Sequence, residues 1–207
     1  VFYRVHAQSR VLEDVMRHEN MPYQIVGGQK FFDRGEVKDL LSYLRVLVNP
    51  QSDVDLFRII NVPARKIGKK TIDALLALAN KNRCSAQESI VALCETDRVG
   101  TAAKRALRSL DELLQELMVM AETAPPLEVA EAVLERTGYS AWLKKQDTAE
   151  ADARVDNLRE LLGSITEFEE EQADAGEIAT LSDYLARISL ISDVDTMQDV
   201  ARVPMMT

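Results

Sequence analysis

Cysteine is nearly absent from this chain of 207 residues. The two present, Cys84 and Cys94, lie ten apart in a stretch that reads as helix. That spacing makes neither a disulfide framework nor a zinc site, and it points to a reducing compartment, so a cytoplasmic location is expected. Histidine is as scarce: His6 and His18 have no matched Ser, Cys or carboxylate constellation, which argues against catalysis by this chain alone. Glycine (8) and proline (6) are too few for a low-complexity or collagen-like chain. No run is apolar enough for long enough to cross a bilayer, so no membrane partner is expected. The phosphate-cradling pattern G-x-x-x-x-G-K-[ST] is missing too. No bound nucleotide or metal and no catalytic residue are therefore expected here.

What remains is globular: 46% of residues are apolar and 29% charged. The formal net charge of -9 argues against simple nucleic-acid binding, but it averages two unlike halves. Residues 1–83 hold 14 Lys+Arg against 9 Asp+Glu, a net of +5, whereas the rest holds 11 against 25, a net of -14. Such asymmetry suits one half facing a polyanion and the other facing water or a protein.

The basic half is organised around residues 27–45, GGQKFFDRGEVKDLLSYLR. A glycine turn and an aromatic pair lead into a helix whose apolar stripe is Val37, Leu40, Leu41, Leu44 and Val48. Arg34, Lys38 and Arg45, spaced four and then seven apart, are expected on the opposite stripe as a line of positive charge. Asp33 is the expected N-cap, with Glu36 in the capping-box position.

Asn49-Pro50 stops that helix, and a short one follows, capped by Asp53 or Asp55. Next comes NVPARKIGKKT, residues 61–71, with Arg65, Lys66, Lys69 and Lys70 and no acid among them. Gly68 stands just before a new helix, with Thr71 in its first turn. A phosphate site needs these parts: free N–H groups at a helix start, a residue without a side chain, and cations. The arrangement resembles the hairpin of a helix-hairpin-helix DNA-binding element, which grips duplex backbone without reading sequence. Lys66 stands where that hairpin's first glycine would be.

The remainder reads as helix to about residue 191, with no internal repeat. Expected inward stripes include Ile72, Leu75, Leu76 and Ala79, then Leu107, Leu110, Leu114, Leu117 and Met120, then Val155, Leu158, Leu162, Ile165 and Phe168. Gly138 is the expected C-terminal cap of a helix over 127–136. At the start, residues 1–5 and 23–26 read as strands around a helix with Val11, Leu12 and Val15 inward, and residues 203–207 form another apolar run. The fold expected is mainly α with a β-α-β fragment, and the chain is expected to be a piece of a larger protein.

Three stretches in order, FYRVHAQSR, PYQIVGGQKFFDRGEVKDLLSYLRVLVNP and RIINVPARKIGKKTID, resemble the UvrD/Rep/PcrA group of superfamily 1 DNA helicases, and the final VPMMT looks like the start of that group's next motif. The resemblance implies a multihelical subdomain flanked by short strands of an incomplete RecA-like α/β domain. On that reading residues 1–30 and 200–207 belong to the second RecA-like domain, and 31–199 form the helical subdomain inserted in it. It further implies an ATP-dependent 3′–5′ helicase of DNA repair or replication, with ATP and Mg2+ held by the full-length protein and not by this piece. Carried over residue by residue, single-strand contacts fall on Arg4, His6 and Lys30, where asparagine is usual at the His6 position. Duplex contacts at the single-strand/duplex junction fall on Lys38, Arg45, Gly68 and Thr71. Repair or transcription proteins are further expected partners, and exposed strand edges could give a weak homodimer. The alternative is a protein-interaction or regulatory module in which the acidic helices dock a partner and the basic stripe is ordinary surface.

Overall fold

The computed structural model describes residues 9–19, 21, 23–25, 30–146, 148–194 and 203–205. Among the described residues there are ten α-helices and two three-residue strands, so the chain is mainly α, as expected. The strand expected over 1–5 and the Gly27-Gly28 turn lie outside the described residues. Two compact units divide the chain: Val1–Lys38 with Ser140–Thr207, and Asp39–Tyr139.

The first unit contains α1 (Ser9–His18), β1 (Tyr23–Ile25), a 3-10 turn (Phe31–Asp33) and the start of α2 (Gly35–Val48). After the second unit it resumes in α8 (Tyr139–Lys144), α9 (Ala149–Asp174), α10 (Leu181–Val194) and β2 (Val203–Met205). The strands pair in parallel, with Tyr23 opposite Val203 and Ile25 opposite Met205. Tyr23 and Met205 form a small core with Leu12, Met16 and Val203 packed on it. Thr148 caps α9, its hydroxyl accepting from the Ala151 N–H. Phe168 of α9 and Tyr184 of α10 meet ring to ring at 5.6 Å, and Ser164 shares a hydrogen bond with the Tyr184 hydroxyl.

The inward face of α1 is not the one its valines predict. Val11 and Val15 are about half exposed, whereas Ser9, Arg10 and Glu13 are buried. The reason is a polar network that out-competes the apolar stripe. Glu13 accepts from the Ser9 hydroxyl at 2.7 Å, the Tyr23 hydroxyl at 3.0 Å and the Phe31 backbone N–H. Arg34 donates to Ser9 at 2.6 Å and to Asn157 of α9 at 2.7 Å, and Asn157 donates to Glu36. Arg10 pairs with Glu160 and Glu167 of α9. Burial of this many polar groups is tolerable because each finds a partner.

This network corrects the reading of the start of α2. Arg34 is buried at 6% exposure and not part of an outer stripe. Its backbone is extended, and its carbonyl accepts the first helical bond from Lys38, so Arg34 and not Asp33 occupies the cap position. Glu36 points into the network. The rest of α2 is buried nearly all round: Tyr43, Val46 and Leu47 join Val37, Leu40, Leu41 and Leu44, while Val48 is exposed.

The second unit carries the rest of α2, α3 (Asp53–Ile59), α4 (Lys69–Asn82), α5 (Ser89–Cys94), α6 (Thr101–Ala121) and α7 (Pro126–Thr137). From α4 onward each helix packs on the next. Leu107, Leu110, Leu114 and Leu117 are the buried stripe of α6, as the spacing predicts. In α4 the buried residues are Thr71, Leu75, Leu78 and Ala79, with Leu76 turned outward. Caps follow local chemistry. Ser52 caps α3, in place of the expected aspartates, by accepting from the Asp55 N–H. Before α5, Ser85 and Glu88 form a reciprocal capping box. Gly138 ends α7 with φ of 68°, the left-handed cap expected of it. Asp39 accepts from the Tyr139 hydroxyl at 2.7 Å and pairs with Arg58 at 2.8 Å.

Candidate nucleic-acid interface

The loop between α3 and α4 is held by two side chains. Asn61 acts as a clip: its Oδ1 accepts from the backbone N–H groups of Arg65 and Ile67, and its Nδ2 donates to the Ile67 carbonyl. Ile67 is thereby pinned inward at 2% exposure. Arg65 acts as a rivet. Its guanidinium donates to the carbonyls of Ile59 (2.9 Å), Val62 (3.1 Å) and Pro63 (3.3 Å), and to the Tyr43 hydroxyl (2.5 Å). Tyr43, from α2, donates in turn to the Val62 carbonyl. Burial raises the Tyr43 phenol above its ordinary value while the Arg65 charge pulls the other way. Arg65, which the sequence offers as one of four loop cations, is therefore committed to holding the loop. Neither Asn61 nor the Arg65 rivet was visible from spacing; an asparagine at the head of a loop, a residue type that bonds nearby backbone, was the available signal.

The cations left over are Lys66, Lys69 and Lys70. All three are exposed and have no carboxylate at ion-pair distance among the described residues. Lys66 lies in the left-handed region with φ of 60°. Gly68 is the N-cap of α4, extended at φ of -75°, and a Cβ built on it meets nothing within 4 Å. Neither its backbone nor its packing demands glycine. In the first turn of α4 the Thr71 and Ile72 N–H groups bond to the Gly68 carbonyl, leaving those of Lys69 and Lys70 without an acceptor among the described residues. Thr71 is largely buried at 8% exposure, and its hydroxyl makes no hydrogen bond among the described residues. The hairpin thus offers three ammonium groups and two N–H groups at the positive end of a helix.

The α2 cations differ. Lys38, in the first unit, is paired with Asp33 at 2.7 Å, and Arg45, in the second, lies 3.9 Å from Asp55. Both are partly exposed, so these pairs are weak and open to exchange. Lys30 is half-buried with its ammonium 5.7 Å from the centre of the Tyr23 ring. Arg4 and His6 lie outside the described residues. Among the described residues no group of three or more His, Cys, Asp or Glu is placed to hold a metal, and no helix is long and apolar enough to cross a membrane.

The family model described as UvrD-like helicase C-terminal domain matches residues 1–207. Among curated relatives, the ATP-dependent DNA helicase PcrA of Staphylococcus aureus (strain NCTC 8325 / PS 47) is 38% identical over 209 residues, covering 100% of this chain and 28% of the relative. The ATP-dependent DNA helicase PcrA of Staphylococcus epidermidis (strain ATCC 12228 / FDA PCI 1200) is likewise 38% identical, with the same coverage. The chain therefore spans 28% of the length of these relatives.

Proposed function

Because the chain belongs to the UvrD-like helicase C-terminal domain family, we propose that it is the accessory portion of an ATP-dependent 3′–5′ DNA helicase and that its α3–α4 hairpin grips duplex DNA at the single-strand/duplex junction. The observation that carries this reading is the set of uncompensated donors at one helix start: Lys66, Lys69, Lys70 and two backbone N–H groups. Phosphate oxygens are the ligands such a set suits, and the grip would be independent of sequence. Gly68 lets a phosphate approach the backbone, and the Thr71 hydroxyl is available to donate. Lys38 and Arg45 would contribute by exchanging their carboxylate partners for phosphate. Arg4, His6 and Lys30 are proposed for the single strand.

In this reading residues 31–199 are the inserted helical subdomain and the flanking segments belong to a RecA-like domain. ATP and Mg2+ would be handled by the rest of the protein, in a repair or replication role in the cytoplasm. The strong negative charge beyond residue 83 supports a second reading, that the acidic helices dock a protein partner.

The experiment is a salt titration of affinity for a hairpin duplex with a single-stranded tail. Gly68→Ala is the sharpest variant, since the fold has room for the methyl group and only a ligand pressed against the loop would meet it. Its stability should change by less than about 1 kcal/mol, the scale of an N-cap replacement, while duplex affinity falls. The Lys69→Ala/Lys70→Ala double variant should bind more weakly with a salt slope shallower by about 2. Wild-type binding that is absent at low salt, or indifferent to salt, would instead leave the protein-docking reading standing.

A further inference from the structure

We propose that Glu13 is a positioning residue for single-strand binding, its buried carboxylate orienting Lys30 through the peptide after it and the ring beneath it. The inference rests on the reading of Lys30 as a single-strand contact and adds the group that holds it in place.

Glu13, on α1, is fully buried at 0% exposure. A carboxylate is costly there unless donors converge on it, and an apolar side chain would carry no such cost. The donors that converge are not scattered. The Phe31 backbone N–H reaches both oxygens, at 3.1 and 3.2 Å, and Phe31 directly follows Lys30. The Tyr23 hydroxyl donates at 3.0 Å, and the centre of the Tyr23 ring lies 5.7 Å from the Lys30 ammonium. One carboxylate therefore holds both the peptide that leads out of Lys30 and the platform under its side chain. The third donor, the Ser9 hydroxyl, is itself held by Arg34, so the carboxylate has little freedom to turn. The Lys30 carbonyl accepts from the Asp33 N–H at 3.0 Å, which fixes the same peptide from its other end. Lys30 itself is only half-buried. An ammonium on a four-carbon stem is flexible, and ordering it on binding costs affinity. Orienting it beforehand lowers that cost, and the ligand a held ammonium suits is a backbone phosphate of the single strand.

The test is a double-mutant cycle on the whole chain, read as affinity for oligothymidylate between about 50 and about 200 mM salt. Lys30→Ala should weaken binding roughly fivefold at low salt and make the salt slope shallower by about 0.7, the value for one phosphate of a single strand. Glu13→Gln, which places an amide NH2 among donors, should reproduce most of both effects with Lys30 still present. The double variant should bind within about twofold of Lys30→Ala, because Glu13 acts only through Lys30. A merely structural Glu13 would weaken binding independently, and the two losses would multiply. Tyr23→Phe keeps the ring and removes one donor. It guards against a Glu13→Gln that folds poorly, and it should show the same non-additivity at smaller size. If Lys30→Ala weakens binding while Glu13→Gln and Tyr23→Phe keep wild-type affinity and slope, or multiply with it, the positioning role is wrong and Lys30 stands as a contact. If Lys30→Ala binds like wild type, or wild type shows no salt-dependent binding, Lys30 is no contact and the positioning role falls with that reading.

Discussion

At the scale of single residues, the hairpin depends more on Asn61 than on any of its lysines. One side chain satisfies two backbone donors and one acceptor in a loop with no regular structure to satisfy them. Asn61→Ala should destabilise the second unit by about 2 kcal/mol, from lost hydrogen bonds and partly buried backbone groups left unpaired. Asn61→Asp, which keeps the acceptor oxygen, should lose less. Urea unfolding of the three proteins checks this, and equal midpoints for Asn61→Ala and wild type would count against the clip. The loop's cations show where sequence reading reaches its limit. Arg65, Lys66, Lys69 and Lys70 look alike as a basic run, and only the fold separates a rivet from exposed charges. Arginine's planar fork suits several carbonyls at once, whereas a lysine ammonium favours water. The same chemistry explains why Arg34, placed by spacing on an outer stripe, lies buried against Ser9 and Asn157.

At the scale of elements, helices with one apolar face were legible and those built on polar contacts were not. The α6 leucines read correctly because their burial is a matter of period alone. The α1 face was read only in part: Leu12 packs inward as expected, but the valines do not, since a serine, an arginine and a glutamate take the buried places, and their partners lie elsewhere in the chain: Tyr23, Phe31, Arg34, Glu160 and Glu167. No local pattern announces a partner so distant in sequence. The polar face is testable. Glu13→Gln replaces an acceptor surrounded by donors with a group that is itself half donor, and should cost about 2 kcal/mol. Val11→Ser/Val15→Ser, which an apolar-inward α1 would feel severely, should stay within about 0.5 kcal/mol per site. Chemical denaturation of both variants decides the matter, and the reverse ranking would restore the amphipathic reading. The hairpin itself was legible as glycine, lysines and a helix start. Its left-handed residue was legible only as a lysine at an unexpected place.

At the scale of the whole molecule, the second unit is a contiguous stretch set within the first, and the boundaries fall inside α2 and at the start of α8. The two compact units are expected to melt separately, so calorimetry should resolve two transitions. Tyr139→Phe, which removes the hydroxyl bonded to Asp39, should lower only the transition of the unit that contains both residues, by about 1 kcal/mol. A single cooperative transition shifted as a whole would contradict the division. The Asp39–Tyr139 hydrogen bond has a wider consequence. The first and last residues of the second unit touch, so its ends form a closed neck and not two distant seams. A segment with a closed neck behaves as a cassette: it can be lengthened, exchanged or lifted out with a short splice while the two ends it leaves stay close. Evolution could thus trade one such cassette for another without redrawing the unit that carries it.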